Sequence, residues 1–107
     1  LEGAPILCSE TCALDAIGAS FVRDIEPGEV VVITDAGVES LTPMPVKRAS
    51  PCVFEYVYFA RPDSTMHGRS VYDVRQRFGR ILARESHVPA DVVCPVPDGG
   101  NPAALGY

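Results

Sequence analysis

The sequence lacks long apolar runs and has no excess of basic residues. Among its 107 residues, no stretch approaches the roughly 18 apolar residues of a membrane-spanning helix, and residues 1–7 lack the basic start of a signal peptide. The net charge is -5 at pH 7, whereas a protein that neutralises nucleic-acid phosphates needs a basic excess. We therefore expect a cytoplasmic protein that binds neither membranes nor nucleic acid.

Cysteines are few and unevenly spaced. They lie at Cys8, Cys12, Cys52 and Cys94, unlike the dense framework of a disulfide-stapled secreted domain, so we expect free thiols. Cys8 and Cys12 could begin a metal site, but a zinc ion or a cluster needs about four ligands. We interpret this pair as small, buried or half-buried thiols and Cys94 as a core residue.

What the sequence does contain is the composition of a globular domain. It is 47% hydrophobic and 21% charged, which excludes intrinsic disorder as the default, and its length leaves room for one small domain. It begins without methionine, and a helix is expected to open at 102–105, just before the last residue. We expect a piece of a longer protein.

The first part of the chain has the pattern of a small antiparallel β meander. Residues 20–25 alternate, residues 30–33 are a short apolar run, and residues 38–41 can return as a third strand after a turn at 35–37. Pro27 and Gly28 occupy the central positions of a type II turn between the first two strands. Residues 11–17 form a short segment of uncertain helical character.

The second part has a different pattern. Residues 42–51 contain three prolines and predict a surface linker, so we divide the chain into 1–45 and 46–107. Residues 53–59 then favour a strand, and 61–64 favour a turn.

A helix is predicted over 70–84. The hydroxyl of Ser70 is placed to cap the backbone N–H near Asp73, and Gly79 suggests close packing. Apolar residues recur on one face of this helix, namely Val71, Val74, Phe78, Ile81 and Leu82.

The end of the chain completes a parallel α/β unit. A short apolar strand at 91–94 is followed by a glycine-bearing loop at 97–100 and by a helix start at Pro102. The fold class is therefore α+β overall, with an antiparallel meander joined to an α/β unit.

No side chains are grouped in the sequence as a nucleophilic site. His67 and His87 lie in polar loop contexts, so we expect both to be solvated. Backbone N–H groups of the 97–100 loop could approach an anion, although Gly-Gly also makes an ordinary turn. Five arginines could contact phosphate, but their acidic neighbours favour a solvated polar face: Arg69, Arg75, Arg77, Arg80 and Arg84.

Segment 52–64, which reads CVFEYVYFARPDS, resembles the signature of the glutamine phosphoribosylpyrophosphate amidotransferases (amidophosphoribosyltransferases). Residues 9–30 resemble the end of that family's N-terminal-nucleophile glutaminase domain. Residues 70–72 and 90–107 resemble the start of its phosphoribosyltransferase domain. The boundary placed after residue 45 would be the junction between the two domains.

The resemblance implies the enzyme of the first committed step of purine biosynthesis. Glutamine is hydrolysed in one domain, and the ammonia displaces pyrophosphate from phosphoribosylpyrophosphate in the other, which gives 5-phosphoribosylamine. The implied partners are these two substrates, the remainder of both domains and further copies in a homo-oligomer. Mg²⁺ is an implied cofactor, and one branch of the family carries an iron-sulfur cluster.

The resemblance also assigns roles to individual residues. Tyr58 matches a position that lines the ammonia channel, and Cys52 matches a cysteine that ligates the cluster where one is present. Pro97, Asp98, Gly99 and Gly100 match the loop at the edge of the phosphoribosylpyrophosphate and magnesium site. Gly99 departs from the family, which commonly has Ser or Thr there, so side-chain ligation of magnesium is lost at this position.

No catalytic residue is matched within the chain. The amino-terminal catalytic cysteine is missing, and the acidic Asp-Asp motif would lie beyond Tyr107, so this stretch alone is expected to catalyse neither half-reaction. The alternative is a non-catalytic binding or interaction module that keeps the family framework. Flanking sequence with an amino-terminal cysteine and a downstream acidic pair would favour the enzyme.

Overall fold

Short helices and two-stranded antiparallel sheets alternate along the chain, which a computed structural model describes over residues 3–45 and 48–107. The mixture agrees with the predicted α+β class. Val46 and Lys47 of the predicted linker lie outside the described residues, and the domain boundary stays a prediction. The elements in chain order are α1 (Thr11–Ile17), β1 (Val30–Thr34), β2 (Gly37–Leu41), a π-helix (Glu55–Phe59), β3 (Thr65–Met66), β4 (Arg69–Ser70), α2 (Val71–Glu85) and α3 (Asn101–Gly106).

The predicted meander is a single hairpin in the structure. β1 and β2 pair antiparallel, with Val30 opposite Leu41, which confirms the pairing of these two segments. The turn before β1 is also confirmed, because the amide of Glu29 donates to the carbonyl of Glu26 at 3.0 Å and Gly28 has a φ of +83°. The strand predicted for 20–25 is wrong, since these residues are irregular.

Side chains, rather than a ladder of backbone hydrogen bonds, hold residues 20–25 near β1. Alternation predicts a strand only where a sheet lies alongside to cover one face, and Phe21 and Val22 remain exposed here. The guanidinium of Arg23 pairs with the carboxylate of Glu29, which also accepts from the amide of Glu26 at 2.7 Å and from the hydroxyl of Ser40. These donors, Arg23 foremost, lower the pKa of Glu29 to about 2 from an ordinary 4.5.

Acid is therefore expected to loosen the hairpin. The pKa of Glu29 is lower in the folded than in the unfolded chain, so its contribution to stability is complete above about pH 4.5 and is lost as the pH falls toward about 2. Amide hydrogen exchange should show protection of β1 and β2 falling over this interval. Glu29→Gln should remove most of that pH dependence. Protection in the unsubstituted protein that stays constant across the interval would contradict this prediction.

The long helix α2 begins where the sequence predicts it. The hydroxyl of Ser70 accepts from the amide of Asp73 at 3.3 Å, which confirms the cap. The amide of Val71 donates to the carbonyl of Ser64 at 3.0 Å, so the turn at 61–64 aligns the start of α2. Among the described residues, no helix combines the length and apolar content that crossing a membrane requires.

Only part of the predicted apolar face of α2 is buried. Val71 is fully buried, but Phe78 and Ile81 are 37% and 39% exposed. The buried line instead runs through Val71, Arg75 and Gly79 at intervals of four residues. The core of the described chain is small, and its buried hydrophobic residues are Leu14, Ala60 and Val71.

The helices α2 and α3 pack backbone against backbone. A Cβ added at Gly79 would overlap the carbonyl oxygen of Ala103, and one added at Gly106 would overlap that of Gln76. The close packing predicted from Gly79 is therefore confirmed, and glycine is needed on both helices.

We expect Gly79→Ala to loosen this helix pair. Alanine favours a helix interior by about 1 kcal/mol, but the added methyl must push α3 away, which costs about 1–3 kcal/mol and outweighs that gain. The opening free energy of α2 and α3 from amide hydrogen exchange measures the effect. Gly99→Ala is the control, because its Cβ would lie 3.7 Å from Nη1 of Arg75, an ordinary contact. A higher opening free energy in Gly79→Ala would contradict the prediction.

The strand predicted for 91–94 is wrong, and with it the parallel α/β unit. Residues 87–96 contain no strand, so α2 and α3 are joined by irregular chain that ends in the turn at 97–100. A parallel strand needs neighbouring strands to satisfy its backbone, and none of the described strands lies beside this segment. Cys94 is consequently exposed rather than buried in a core.

Candidate functional site

Segment 52–64 contains a π-helix where a strand was predicted. The amide of Ala60 donates to the carbonyl of Glu55, five residues earlier, at 3.0 Å. The β-branched and aromatic residues of this segment favour a strand only when another strand pairs with them, and none of the described strands does so. Single π-helical turns occur frequently at functional sites.

The π-helix presents an aromatic cluster of Phe54, Tyr58 and Phe59. The ring of Tyr58 packs edge-on against Phe59 with centroids 5.8 Å apart, and the rings of Phe54 and Phe59 are 5.9 Å apart. Tyr58 is 72% exposed, and its hydroxyl makes no hydrogen bond within the described residues. This ring is therefore available to contact another surface at little cost to the packing of the chain.

Arg75 of α2 holds the π-helix from the buried side. Its Nε donates to the carbonyl of Tyr56 and its Nη2 donates to the carbonyl of Ala60, both at 2.6 Å. Burial lowers the pKa of this guanidinium, and the carboxylate of Glu10 acts in the opposite direction. The solvated role expected for the helix arginines is wrong for Arg75, which is 2% exposed. Its place four residues from both Val71 and Gly79 is the signal that could have identified it.

Glu10, just before α1, reaches the turn that follows the π-helix. Its Oε2 accepts from the amide of Arg61 and from the hydroxyl of Ser64, both at 2.8 Å. The amide of Arg61 is the main cause that holds the pKa of Glu10 below its ordinary value. The hydroxyl of Thr11 likewise accepts from the amide of Thr65 at 2.7 Å. These contacts tie the N-terminal segment to the signature, and no sequence signal predicts pairs separated by more than 50 positions.

The 97–100 loop leads directly into α3. The amide of Gly100 donates to the carbonyl of Val96 at 3.1 Å, and the amide of Asn101 donates to the carbonyl of Asp98 at 3.2 Å. The peptide between Pro97 and Asp98 is cis. Asp98 is exposed, whereas Gly99 and Gly100 are half-buried, so the loop offers one accessible carboxylate.

Comparisons with curated proteins cover the whole chain. It is 58% identical over 112 residues to the amidophosphoribosyltransferase of Rhizobium etli and 50% identical over 107 residues to that of Archaeoglobus fulgidus. Each alignment covers 100% of this chain and 23% of the relative. Over its full length, this chain is similar to a segment of amidophosphoribosyltransferases. No family model matches it.

Solved structures of amidophosphoribosyltransferase type agree with this similarity. The glutamine phosphoribosylpyrophosphate amidotransferase of B. subtilis, solved with ADP and GMP, superposes with a TM-score of 0.84 at 49% identity, covering 92% of this chain and 22% of that one. A structure described as the allosteric regulatory enzyme of purine biosynthesis gives the same TM-score and identity. The chain spans about a fifth of the length of these relatives.

The described residues do not supply a complete set of ligands for the metals that the amidophosphoribosyltransferase resemblance implies. Within residues 3–45 and 48–107, no three His, Cys, Asp or Glu side chains come together as a metal site. Cys52 is exposed and free, whereas a cluster takes about four thiolates. Mg²⁺ prefers six oxygen ligands, and next to Asp98 the residue Gly99 has no side-chain oxygen to add.

The remaining predicted residues are separate from one another. His67 and His87 are exposed, in agreement with their interpretation as solvated loop residues. Cys12 is half-buried as expected, but Cys8 is exposed, so that part of the interpretation is wrong. Among the described residues, Arg75 lies between the π-helix, to which it donates two hydrogen bonds, and the 97–100 loop.

Proposed function

We propose that this chain is part of an enzyme that makes 5-phosphoribosylamine from phosphoribosylpyrophosphate and glutamine. The observation that carries the proposal is the 58% identity to an amidophosphoribosyltransferase across the whole chain. The reaction releases ammonia from glutamine, and ammonia then displaces pyrophosphate at the anomeric carbon of phosphoribosylpyrophosphate. This is the first committed step of de novo purine biosynthesis and a glycosyl transfer.

In this proposal the chain supplies the passage and one edge of the second site. Ammonia must cross between sites without reaching water, where it would be protonated and lost as a nucleophile. The exposed ring of Tyr58, backed by Phe59, suits an apolar wall of that passage. The loop from Pro97 to Gly100 would border the phosphoribosylpyrophosphate, with Asp98 near its magnesium ion. Further ligands for that ion would come from outside the chain.

Other features of the proposal follow the resemblance. Residues 1–45 would belong to the glutaminase domain and residues 46–107 to the phosphoribosyltransferase domain. The protein would act in the cytoplasm as a homo-oligomer. If the parent carries an iron-sulfur cluster, Cys52 would be one of its ligands.

The proposal is tested on the longer protein encoded around this segment. The purified protein should convert glutamine to glutamate and phosphoribosylpyrophosphate to pyrophosphate in equal amounts when Mg²⁺ is present. Its sequence should carry an amino-terminal cysteine and an acidic pair downstream of this segment. Absence of both motifs together with no turnover would instead support a non-catalytic module with the same framework.

A further inference from the structure

Arg75 is a buried cation without a carboxylate in contact. The ion pairs of the described residues are Arg23 with Glu29 and Arg61 with Asp63. A buried charge is costly unless hydrogen bonds compensate it, and Arg75 is compensated by two backbone carbonyls. An apolar side chain of similar size would leave the carbonyls of Tyr56 and Ala60 without these donors, so the guanidinium at this position has a use beyond packing.

The planar guanidinium fixes the directions of its nitrogen atoms. Nε and Nη2 donate to carbonyls of the π-helix segment, at Tyr56 and Ala60. Nη1 faces the other way, because it lies 3.7 Å from the position that a Cβ at Gly99 would take. One rigid group therefore donates to the segment that carries Tyr58 and also lies beside Gly99 of the 97–100 loop.

The packing of α3 strengthens this connection. The loop leads into α3, and the backbone of α3 touches α2 at Gly79, four residues after Arg75. The loop is therefore continuous with a helix that packs closely against α2 one turn from Arg75. The carboxylate of Glu10 fixes the far end of the same segment through the amide of Arg61 and the hydroxyl of Ser64.

We propose that Arg75 is a positioning residue that joins the Tyr58 π-helix to the 97–100 loop, so that a ligand bound at the loop stabilises the wall of the ammonia passage. The inference rests on the proposed function for the roles of Tyr58 and the loop. The mechanical connection itself rests on the two hydrogen bonds of Arg75, on the position of its Nη1 beside Gly99, and on the packing of α3 against α2.

The test uses amide hydrogen exchange in the longer protein that contains this chain. The amides of Ala60 and Gly100 are suitable probes, because each is hydrogen-bonded within its own element. Arg75→Met should raise exchange at Ala60 by roughly tenfold or more, the scale of one lost hydrogen bond to a charged group. It should raise exchange at Gly100 by a smaller factor, because the loop loses the neighbouring side chain but no hydrogen bond to it. Arg77→Met is the matched control on an exposed position of the same helix and should change neither probe.

A second arm adds phosphoribosylpyrophosphate. In the unsubstituted protein and in Arg77→Met, the ligand should slow exchange at Ala60 as well as at Gly100. In Arg75→Met the slowing should persist at Gly100 and disappear at Ala60. If Arg75 had only a structural role, Arg75→Met would weaken the ligand-induced slowing at Ala60 and at Gly100 together. If Arg75→Met does not fold, Arg75→Lys is measured in its place. A lysine keeps the charge but lacks the planar guanidinium that lies between the π-helix and the 97–100 loop.

The outcomes are distinct for the two proposals. Unchanged exchange at Gly100 in the ligand-free Arg75 variants, or a retained response at Ala60, would overturn the positioning role. An unsubstituted protein that neither binds phosphoribosylpyrophosphate nor forms phosphoribosylamine would overturn the proposed function. The ligand-free arm would still decide whether Arg75 joins the two elements.

Discussion

Tyr58→Ala should leave glutamine hydrolysis largely intact in the longer protein and lower glutamine-dependent phosphoribosylamine formation on the order of tenfold or more. The ring is 72% exposed in the chain and its hydroxyl is unpaired within the described residues, so truncation costs little stability. It would open the proposed wall, and ammonia would reach water before the second site. The measurement is the ratio of phosphoribosylamine formed to glutamate released.

Three comparisons separate a wall from other roles. Tyr58→Phe keeps the ring and should keep the ratio near that of the unsubstituted enzyme. Tyr72→Ala removes an aromatic ring from the surface of α2 and should not change it. Ammonia supplied directly bypasses the passage, so Tyr58→Ala should use it normally. If ammonia-dependent synthesis falls as far as glutamine-dependent synthesis, Tyr58 acts on the phosphoribosyl site or on folding, and the channel role is wrong.

Local signals in the sequence predicted the long helix α2, the start of α3 and the turn before β1. The cap at Ser70, the turn at Gly28 and the close approach at Gly79 each depend on neighbours within one element or on the absence of a side chain. Such features need little knowledge of the rest of the fold.

Strands were predicted less well because a strand needs a partner. Residues 20–25, 53–59 and 91–94 all have strand-like composition, yet none is a strand in the described chain. The segment 53–59 shows the physical reason, because the carbonyl of Tyr56 and that of Ala60, the next residue after the segment, accept from Arg75 instead of from a neighbouring strand. The composition of a segment favours an extended backbone, but the segment forms a strand only where a neighbouring strand pairs with it.

The candidate site likewise has parts that the sequence indicates and parts that it does not. The signature and the 97–100 loop are recognisable as sequence, and their functional roles remain predictions. Arg75 and Glu10 were not recognised as structural links, because their partners lie 15 to 54 positions away. A charged residue on the buried line of an amphipathic helix is the general signal of such a link, because a charged side chain is seldom fully buried unless it is paired.

The isolated chain of 107 residues should not behave as a compact domain. Its radius of gyration is 18.1 Å, whereas a compact domain of this length has about 13 Å. Within residues 3–45 and 48–107 the buried hydrophobic residues are Leu14, Ala60 and Val71. The surface between α2 and α3 leaves apolar side chains open, including Phe78, Leu82 and Val93. Exposed apolar surface of this extent marks contacts that the chain does not make by itself.

We therefore expect the isolated chain to melt without a cooperative transition, to bind a hydrophobic dye, and to associate as its concentration rises. Scanning calorimetry and sedimentation at several concentrations measure these properties. The longer protein is the control: there the dye should not bind, and amides of α2 and α3 should be protected from exchange. The helix pair itself is well packed at Gly79 and Gly106, so residual helicity alone would not contradict the prediction. A sharp melt of a monomer, independent of concentration, would contradict the prediction, because a cooperative transition needs a larger core than the described residues form.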